Sequence, residues 1–330
     1  MVWSFVKFVF FVSMLLMPVF TGWPCSVAKT LDINRVRSWG YQLQNADLNL
    51  IASSGFDLVV VDYSRDGTEE GRYEAWEVNK VKNKGVILVA YLSVGEAEDY
   101  RFYWREEWKV NPPLWLGREN PEWPGNYNVR YWDKRWMSIL FRYLDKILEQ
   151  GFCGVYLDRV DAFEHWSDPE NGEGFWLSEE EAAKRMIKLI EEVTYYCRVV
   201  KGRKNFYVIP QNGERLLEYD KEGKLLSLVS GWAVEDLFYD GVNPLPLNIT
   251  LERTRYLDRV VKAGKPVFVV DYVDDGTGYL GENKRRIDDF RAKALAKGYI
   301  PYVARVDREL DELNLIWGVQ PSCQHRLAGN

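Results

Sequence analysis

Eight short apolar runs punctuate the chain, each followed by polar residues and then by a stretch with helical spacing. The runs are SWGYQL (38–43), FDLVVVDY (56–63), VILVAYLS (86–93), FCGVYLD (152–158), NFYVIPQN (205–212), SGWAVED (230–236), PVFVVDY (266–272) and YIPYVAR (299–305). Most are nearly continuous in apolar residues rather than alternating. That pattern predicts parallel strands covered on both faces. The intervening helices are predicted to be amphipathic. The clearest begins at Ser178, where Ser-x-x-Glu to Glu181 predicts a capping box before AAKRMIKLIEEVTYYC. Gly55, Gly85, Gly151, Gly202, Gly264 and Gly298 each stand between a helical stretch and the next strand, the place for a left-handed helix terminus.

Eight strand–helix units in about 300 residues predict an α/β protein with a single (β/α)8 TIM barrel and a parallel eight-stranded sheet. An open doubly wound sheet is the alternative. It is disfavoured because no Gly-x-Gly-x-x-Gly follows any strand. No linker or composition break divides residues 29–330, which are read as one domain.

In a barrel the site is built at the carboxyl ends of the strands. There the chain places Asp62 and Tyr63, then Tyr91, Ser93 and Glu96, then Asp158, Arg159 and Asp161. Gln211 and Asn212, Glu235 and Asp236, Asp271 and Tyr272, and Arg305 complete the set. Alternation selects among them. If Asp158 points inward so do Tyr156 and Gly154, and Val155 and Leu157 face the helices. If Glu235 points inward so do Ala233 and Gly231, with Val234 and Trp232 outside. Asp158 and Glu235 then face each other across the mouth from the fourth and sixth strands. The competing structural reading is that some of these acids pair with Arg159 or Arg305 and hold loops together.

Composition narrows the chemistry. The chain has 330 residues, a formal net charge of −6 and two histidines. His165 and His325 are too few and too far apart for a His-rich metal site, and neither lies near a nucleophile motif. A mild acidic excess argues against nucleic acid, which needs clustered Lys and Arg. No Cys-x-x-Cys is present among the four cysteines. No metal and no cofactor is implied. Carboxylate chemistry remains. Glycoside hydrolysis needs one acid to protonate the leaving oxygen and one carboxylate as nucleophile or base. The segment before the helix near Asp133 carries Trp104, Trp108, Trp115, Trp123 and Trp132, with Trp136 inside the helix. Trp132 and Trp136 read as helix packing. One or two of the other four are candidate sugar-stacking platforms, the rest a satellite core.

Residues 1–20 carry one charge, Lys7, and are otherwise almost wholly apolar. Small residues at Ser26 and Ala28 predict a signal peptide over 1–28, with an uncleaved membrane anchor as the alternative. A secreted, periplasmic or cell-surface protein is expected, touching membrane only through 1–20 if uncleaved. Removing 1–28 takes away one Lys and no acid, so the charge becomes −7. Cys153, Cys197 and Cys323 would remain, with no basis for choosing a pair. A monomer is expected.

The motifs YLSVGEAEDYRFYW (91–104), GVYLDRVDAFEHW (154–166), WAVEDLFY (232–239) and VVDYV (269–273) resemble those of glycoside hydrolase family 114, the endo-α-1,4-polygalactosaminidases and their exported relatives. The resemblance runs in order over residues 36–306. It implies a (β/α)8 barrel, hydrolysis of α-1,4-linked galactosamine polymers, and functional acids at Asp158 and Glu235. It implies that Tyr91, Ser93, Gly95 and Glu96 shape the cleft floor. The insertion-like stretches 105–132 and 164–177 depart from the pattern and would remodel the groove.

Asp158 is then expected as nucleophile and Glu235 as general acid/base, giving retention, with the roles exchangeable. Asp62, Asp271 and Tyr272 would bind hydroxyls or amines. A cationic amino-sugar polysaccharide would be drawn to an acidic mouth. Two other classes compete: a non-catalytic carbohydrate-binding barrel, and a metal-assisted enzyme using Asp62, Asp158 and Asp271 as oxygen ligands.

Overall fold

The computed structural model describes residues 31–321. The expected signal segment 1–28, Cys323 and His325 lie outside the described residues. All eight predicted runs form strands: β1 (Trp39–Tyr41), β2 (Leu58–Val61), β3 (Ile87–Ser93), β4 (Gly154–Asp158), β5 (Tyr207–Pro210), β6 (Trp232–Glu235), β7 (Val267–Asp274) and β8 (Ile300–Arg305). Every ladder among them is parallel. β1 to β5 lie in chain order in one sheet, and β6 to β8 in a second. Between β5 and β6 a single parallel bridge joins Gln211 to Ala233. It is flanked by Ser230 N–H donating to Val208 O at 2.8 Å and Asn212 N–H to Ala233 O at 2.9 Å. From β1, the Trp39 indole N–H donates to the Ile300 carbonyl on β8 at 2.9 Å.

Helices separate the strands: α1 (Leu48–Ser53), α2 (Ala75–Asn83), α3 (Lys134–Gln150), α4 (Ala162–His165), α5 (Glu179–Tyr195), α6 (Leu216–Tyr219), α7 (Lys224–Leu228), α8 (Leu247–Lys262) and α9 (Gly281–Ala296). Among the described residues no helix follows β8. The six predicted terminating glycines all have positive φ, from 70° at Gly202 to 90° at Gly55. At Gly151, which caps α3 with φ 88°, a side chain would be strained. The capping box expected at Ser178 is half formed. Ser178 Oγ accepts from Glu181 N–H at 3.3 Å, while the Glu181 carboxylate takes Arg185. Glu74 and Glu77 make a full box at α2.

Inward residues fill the space between strands with rings. Trp39 and Tyr41, two apart on β1, share a face and stack at 6.1 Å. Tyr156 of β4 meets both, and Phe268 of β7 and Tyr302 of β8 close around Trp39. The alternation that turns Tyr156 inward also directs Asp158, two residues on, toward the mouth.

The stretch after β3 is not a plain loop. Glu96–Glu98, Leu116–Glu119 and Asn126–Val129 form a three-stranded antiparallel sheet. Trp104, Trp108, Trp115 and Trp136 make a chain of ring contacts from this sheet to α3, with centroids 5.1 to 5.4 Å apart. Trp136 is fully buried and donates its N–H to Val94 O at 2.9 Å. Trp132 precedes the α3 cap Asp133 and packs on Trp166 instead of the helix face. Cys153 and Cys197 are free thiols, the latter buried. No described helix is long and apolar enough to cross a membrane.

Gly95, just past β3, packs tightly against the segment that follows β4. A Cβ there would lie 2.4 Å from Arg159 O and 2.6 Å from Ala162 Cβ. Gly95→Ala is therefore expected to destabilise the fold by about 1–3 kcal/mol, read as a lower urea midpoint. An unchanged midpoint would show that this contact has slack.

Candidate active site

A cleft of about 670 Å³ opens at the carboxyl ends of the strands. Of the residues expected there, Asp62, Tyr91, Glu96, Asp158, Asp161, Gln211, Asn212, Glu235 and Tyr272 line it. Asp158 ends β4 and Glu235 ends β6, and both remain partly open to the cleft. Each is held by a tyrosine. Tyr91 donates its hydroxyl to Asp158 Oδ2 at 2.7 Å, and Tyr272 donates to Glu235 Oε1 at 2.5 Å. Burial keeps both phenols protonated by raising them well above their ordinary value.

Burial also raises the two acids. Asp158 is pushed up to about 6, against the stabilising pull of the Tyr91 hydroxyl and Arg159. Glu235 is pushed up to about 7 by burial first and by the Asp158 charge second. The Asp158 charge in a poorly solvated mouth favours the state in which Glu235 keeps its proton while Asp158 is ionised.

The backbone around the pair is tightly tied. Asn212 Oδ1 accepts from Glu235 N–H at 3.0 Å. Arg253 donates to the carbonyls of Glu235 and Asp236 at 2.9 and 2.8 Å. Among the described residues, the non-glycine positions with positive φ are Asn45, Arg159, Asn212, Asp236, Arg308 and Leu310. Five line this cleft and Asp236 lines the cavity beside it. Backbone in this costly region gathers at one rim, as it does where a site demands an unusual side-chain direction.

Several site residues escaped sequence reasoning. Arg101 is buried and holds Asp62 at 2.7 Å and Glu98 at 2.6 Å. Arg308 clasps Asp236 at 2.7 Å and lies 4.6 Å over the Tyr272 ring. Tyr41 lines the cleft near the pair, its phenol kept protonated by burial and by the neighbouring carboxylates Glu235 and Asp158. Arg101 stands inside the 91–104 motif, which was its one local signal. Arg159 pairs with Glu96 at 3.1 Å and Asp161 at 3.8 Å, so the ion-pair reading holds for those two acids.

Five expected residues lie outside the cleft lining. Tyr63 is buried edge-on against Tyr143 at 4.8 Å. Ser93 is buried opposite Asp158 in the ladder. Asp236 turns to Arg308. Arg305 pairs with Asp274 and Glu312 at 3.6 and 3.3 Å. Asp271 is fully buried and accepts the amides of Leu237, Phe238 and Tyr239, each at 2.9 Å. Asp271 therefore shapes the loop after β6 rather than meeting a ligand. With Asp62 committed to Arg101, the carboxylates of Asp62, Asp158 and Asp271 do not converge as a metal site. Among the four candidate tryptophans, Trp123 lines the cleft, 54% exposed, and the other three pack in the satellite cluster.

Two carboxyls of raised and unequal proton affinity, facing one cleft at strand ends, are what glycoside hydrolysis requires. The model of glycoside-hydrolase family GH114 matches residues 25–322. The chain belongs to that family, and it is a glycosidase. A protein of Methanocaldococcus jannaschii, uncharacterized protein MJ1477, is 60% identical over 279 residues, covering 84% of this chain and 78% of its own. An uncharacterized protein of Thermotoga maritima is 50% identical over 284 residues, covering 86% and 85%. Among solved structures, the glycoside hydrolase domain of PelA from Pseudomonas aeruginosa superposes with TM-score 0.61 at 16% identity, covering 84% of this chain and 97% of that one. Aspergillus fumigatus Ega3 in complex with galactosamine gives TM-score 0.60 at 17% identity, covering 88% and 97%. At such identity these two structures establish the likeness of fold.

Two predictions follow from the electrostatics. In the unfolded chain Glu235 loses its proton near 4.5, in the folded protein near 7. Between those values the folded state holds the extra proton, so stability declines as pH rises through that window and levels off above it. Glu235→Gln removes this cost. Its stability relative to the native protein should improve between pH 4 and pH 8 by about 1–3 kcal/mol in urea unfolding; a pH-independent gap contradicts the assignment. Arg308 holds Glu235 down, while the neighbouring Asp236 pushes it up. Arg308→Met should therefore raise the Glu235 pKa, seen as an upward move of the alkaline limb of activity. A downward move would refute the coupling.

Proposed function

We propose that this protein is an exported hydrolase of an α-linked amino-sugar polysaccharide, of the α-1,4-galactosaminide type, acting endo and with retention. The observation that carries the proposal is the pair Asp158 and Glu235, each tyrosine-held, with Glu235 the weaker acid. Family membership supports the same class of bond, and the galactosamine in the Ega3 complex supports an amino sugar as its unit. Although Asp62, Glu96, Glu98 and Asp161 are paired with Arg101 and Arg159, carboxyl groups outnumber guanidinium groups in the cleft lining, an excess that suits a polycation.

The two parallel sheets are read as arcs of one (β/α)8 barrel within residues 29–330, with 1–28 as the export segment. In this reading protonated Glu235 gives its proton to the leaving glycosidic oxygen while ionised Asp158 attacks the anomeric carbon. Glu235, now a carboxylate, takes a proton from water, which attacks the same carbon and releases Asp158. Tyr91 stabilises the Asp158 anion by its hydrogen bond, and Tyr272 orients Glu235. Asp62 is placed, through Arg101, to fix the wall that meets hydroxyls or amines. Trp123 offers a stacking face at the cleft edge.

The test is release of reducing ends from α-linked galactosamine polymers. Asp158→Asn and Glu235→Gln should each lose roughly a thousandfold or more in kcat while still retaining the polymer on native affinity gels. Activity of the native protein should be highest between pH 6 and pH 7, the window set by the two acids. Hydrolysis that survives either substitution would overturn the pair.

A further inference from the structure

Beyond the ends of β1 and β2 lies a second cavity of about 500 Å³, outside the catalytic cleft and adjoining it. Asn45, Arg65 and Asp66 line both. On its outer wall stands Trp76, in the first turn of α2 and 67% exposed. The buried face of that helix carries Val78 and Val81 instead. We propose that this cavity is a distal sugar-binding site, in which Trp76 stacks on a pyranose ring of the same amino-sugar chain, away from the bond being cut. The proposal rests on the hydrolase reading above and adds a site to it.

Three features favour a sugar there. The volume is in the range of small-ligand pockets and admits a pyranose ring. An exposed indole in a polar concavity presents a flat apolar face beside hydrogen-bonding groups, the combination a sugar ring meets with its C–H face and its hydroxyls. The charge is also suitable. The carboxylates Asp47, Asp66 and Glu77 outnumber the cations Arg65 and Lys80. Both cations are engaged internally: Arg65 pairs with Glu77 at 2.5 Å and lies 4.6 Å over Tyr73, and Lys80 donates to Asn49 at 2.7 Å. Asp47 Oδ1 accepts from Asn49 N–H, and Asp66 Oδ1 accepts from Ser64 and Thr68, so both carboxylates are fixed on the cavity wall as partners for an ammonium group. A chain lying in the catalytic cleft reaches this cavity past the three residues that both share.

The test compares long galactosamine polymer with a short oligomer that fills only the cleft. Trp76→Ala should lower the long-to-short ratio of kcat/KM by roughly 2- to 10-fold, and Trp76→Phe should restore most of it. Trp317→Ala, at an exposed tryptophan that lines none of the cavities named above, serves as control and should leave the ratio alone. An unchanged ratio in Trp76→Ala would overturn the site. If the native protein cuts no polymer, the hydrolase reading fails, and the distal site is judged by gel retardation on the same polymer. Retardation weakened by Trp76→Ala then supports the site. Retardation indifferent to it, or none, overturns the site as well.

Discussion

Two carboxyl groups share one poorly solvated mouth, and almost everything around them is arranged to make that tolerable. Neither can be fully ionised beside the other without cost, because burial penalises each charge and the Asp158 charge raises Glu235 further. The protein does not neutralise them with a directly bonded cation. It gives each one a neutral donor, Tyr91 or Tyr272, whose own hydroxyl is kept protonated by the same burial. Each hydroxyl pulls its acid's proton affinity down, yet burial outweighs that pull and leaves both acids raised. The consequence is a pair whose members differ by the environment they sit in, which is the condition for dividing acid and nucleophile roles.

Cations are present but held one step back. Arg159 is committed to Glu96 and Asp161, Arg101 to Asp62 and Glu98, and Arg308 to Asp236 and Asp240. Arg253 spends its guanidinium on Glu214 and on the carbonyls that follow β6. Asp271, a candidate for the mouth by its place at a strand end, holds three amides of the next loop. These contacts explain why positive-φ backbone is concentrated at this rim: the loops are over-determined by ionic bonds, so local strain there can persist.

The parallel strands and their polar ends were legible because they depend on periodicities the chain displays locally. Near-continuous apolar runs, the glycines after helices and the two-residue alternation of Tyr156 and Asp158 are all short-range signals. The hairpin sheet over residues 96–129 was not legible, since its strands are three or four residues long and its tryptophans read equally well as loop or core. Nor was the sorting of those tryptophans. Trp136 read correctly as helix packing, but Trp115 differs from Trp123 only in what lies across from it.

What the sequence by itself determined is the α/β strand order, the placement of Asp158 and Glu235 at strand ends, and the family motifs that bind those segments together. Only the tertiary structure decided which polar residues face the cleft and which brace it. Asp62 meets Arg101 across 39 residues, and Arg308 meets Asp236 across 72. Proton affinity is likewise a property of the assembled mouth, because desolvation and neighbouring charge act through space and leave no trace in the order of residues.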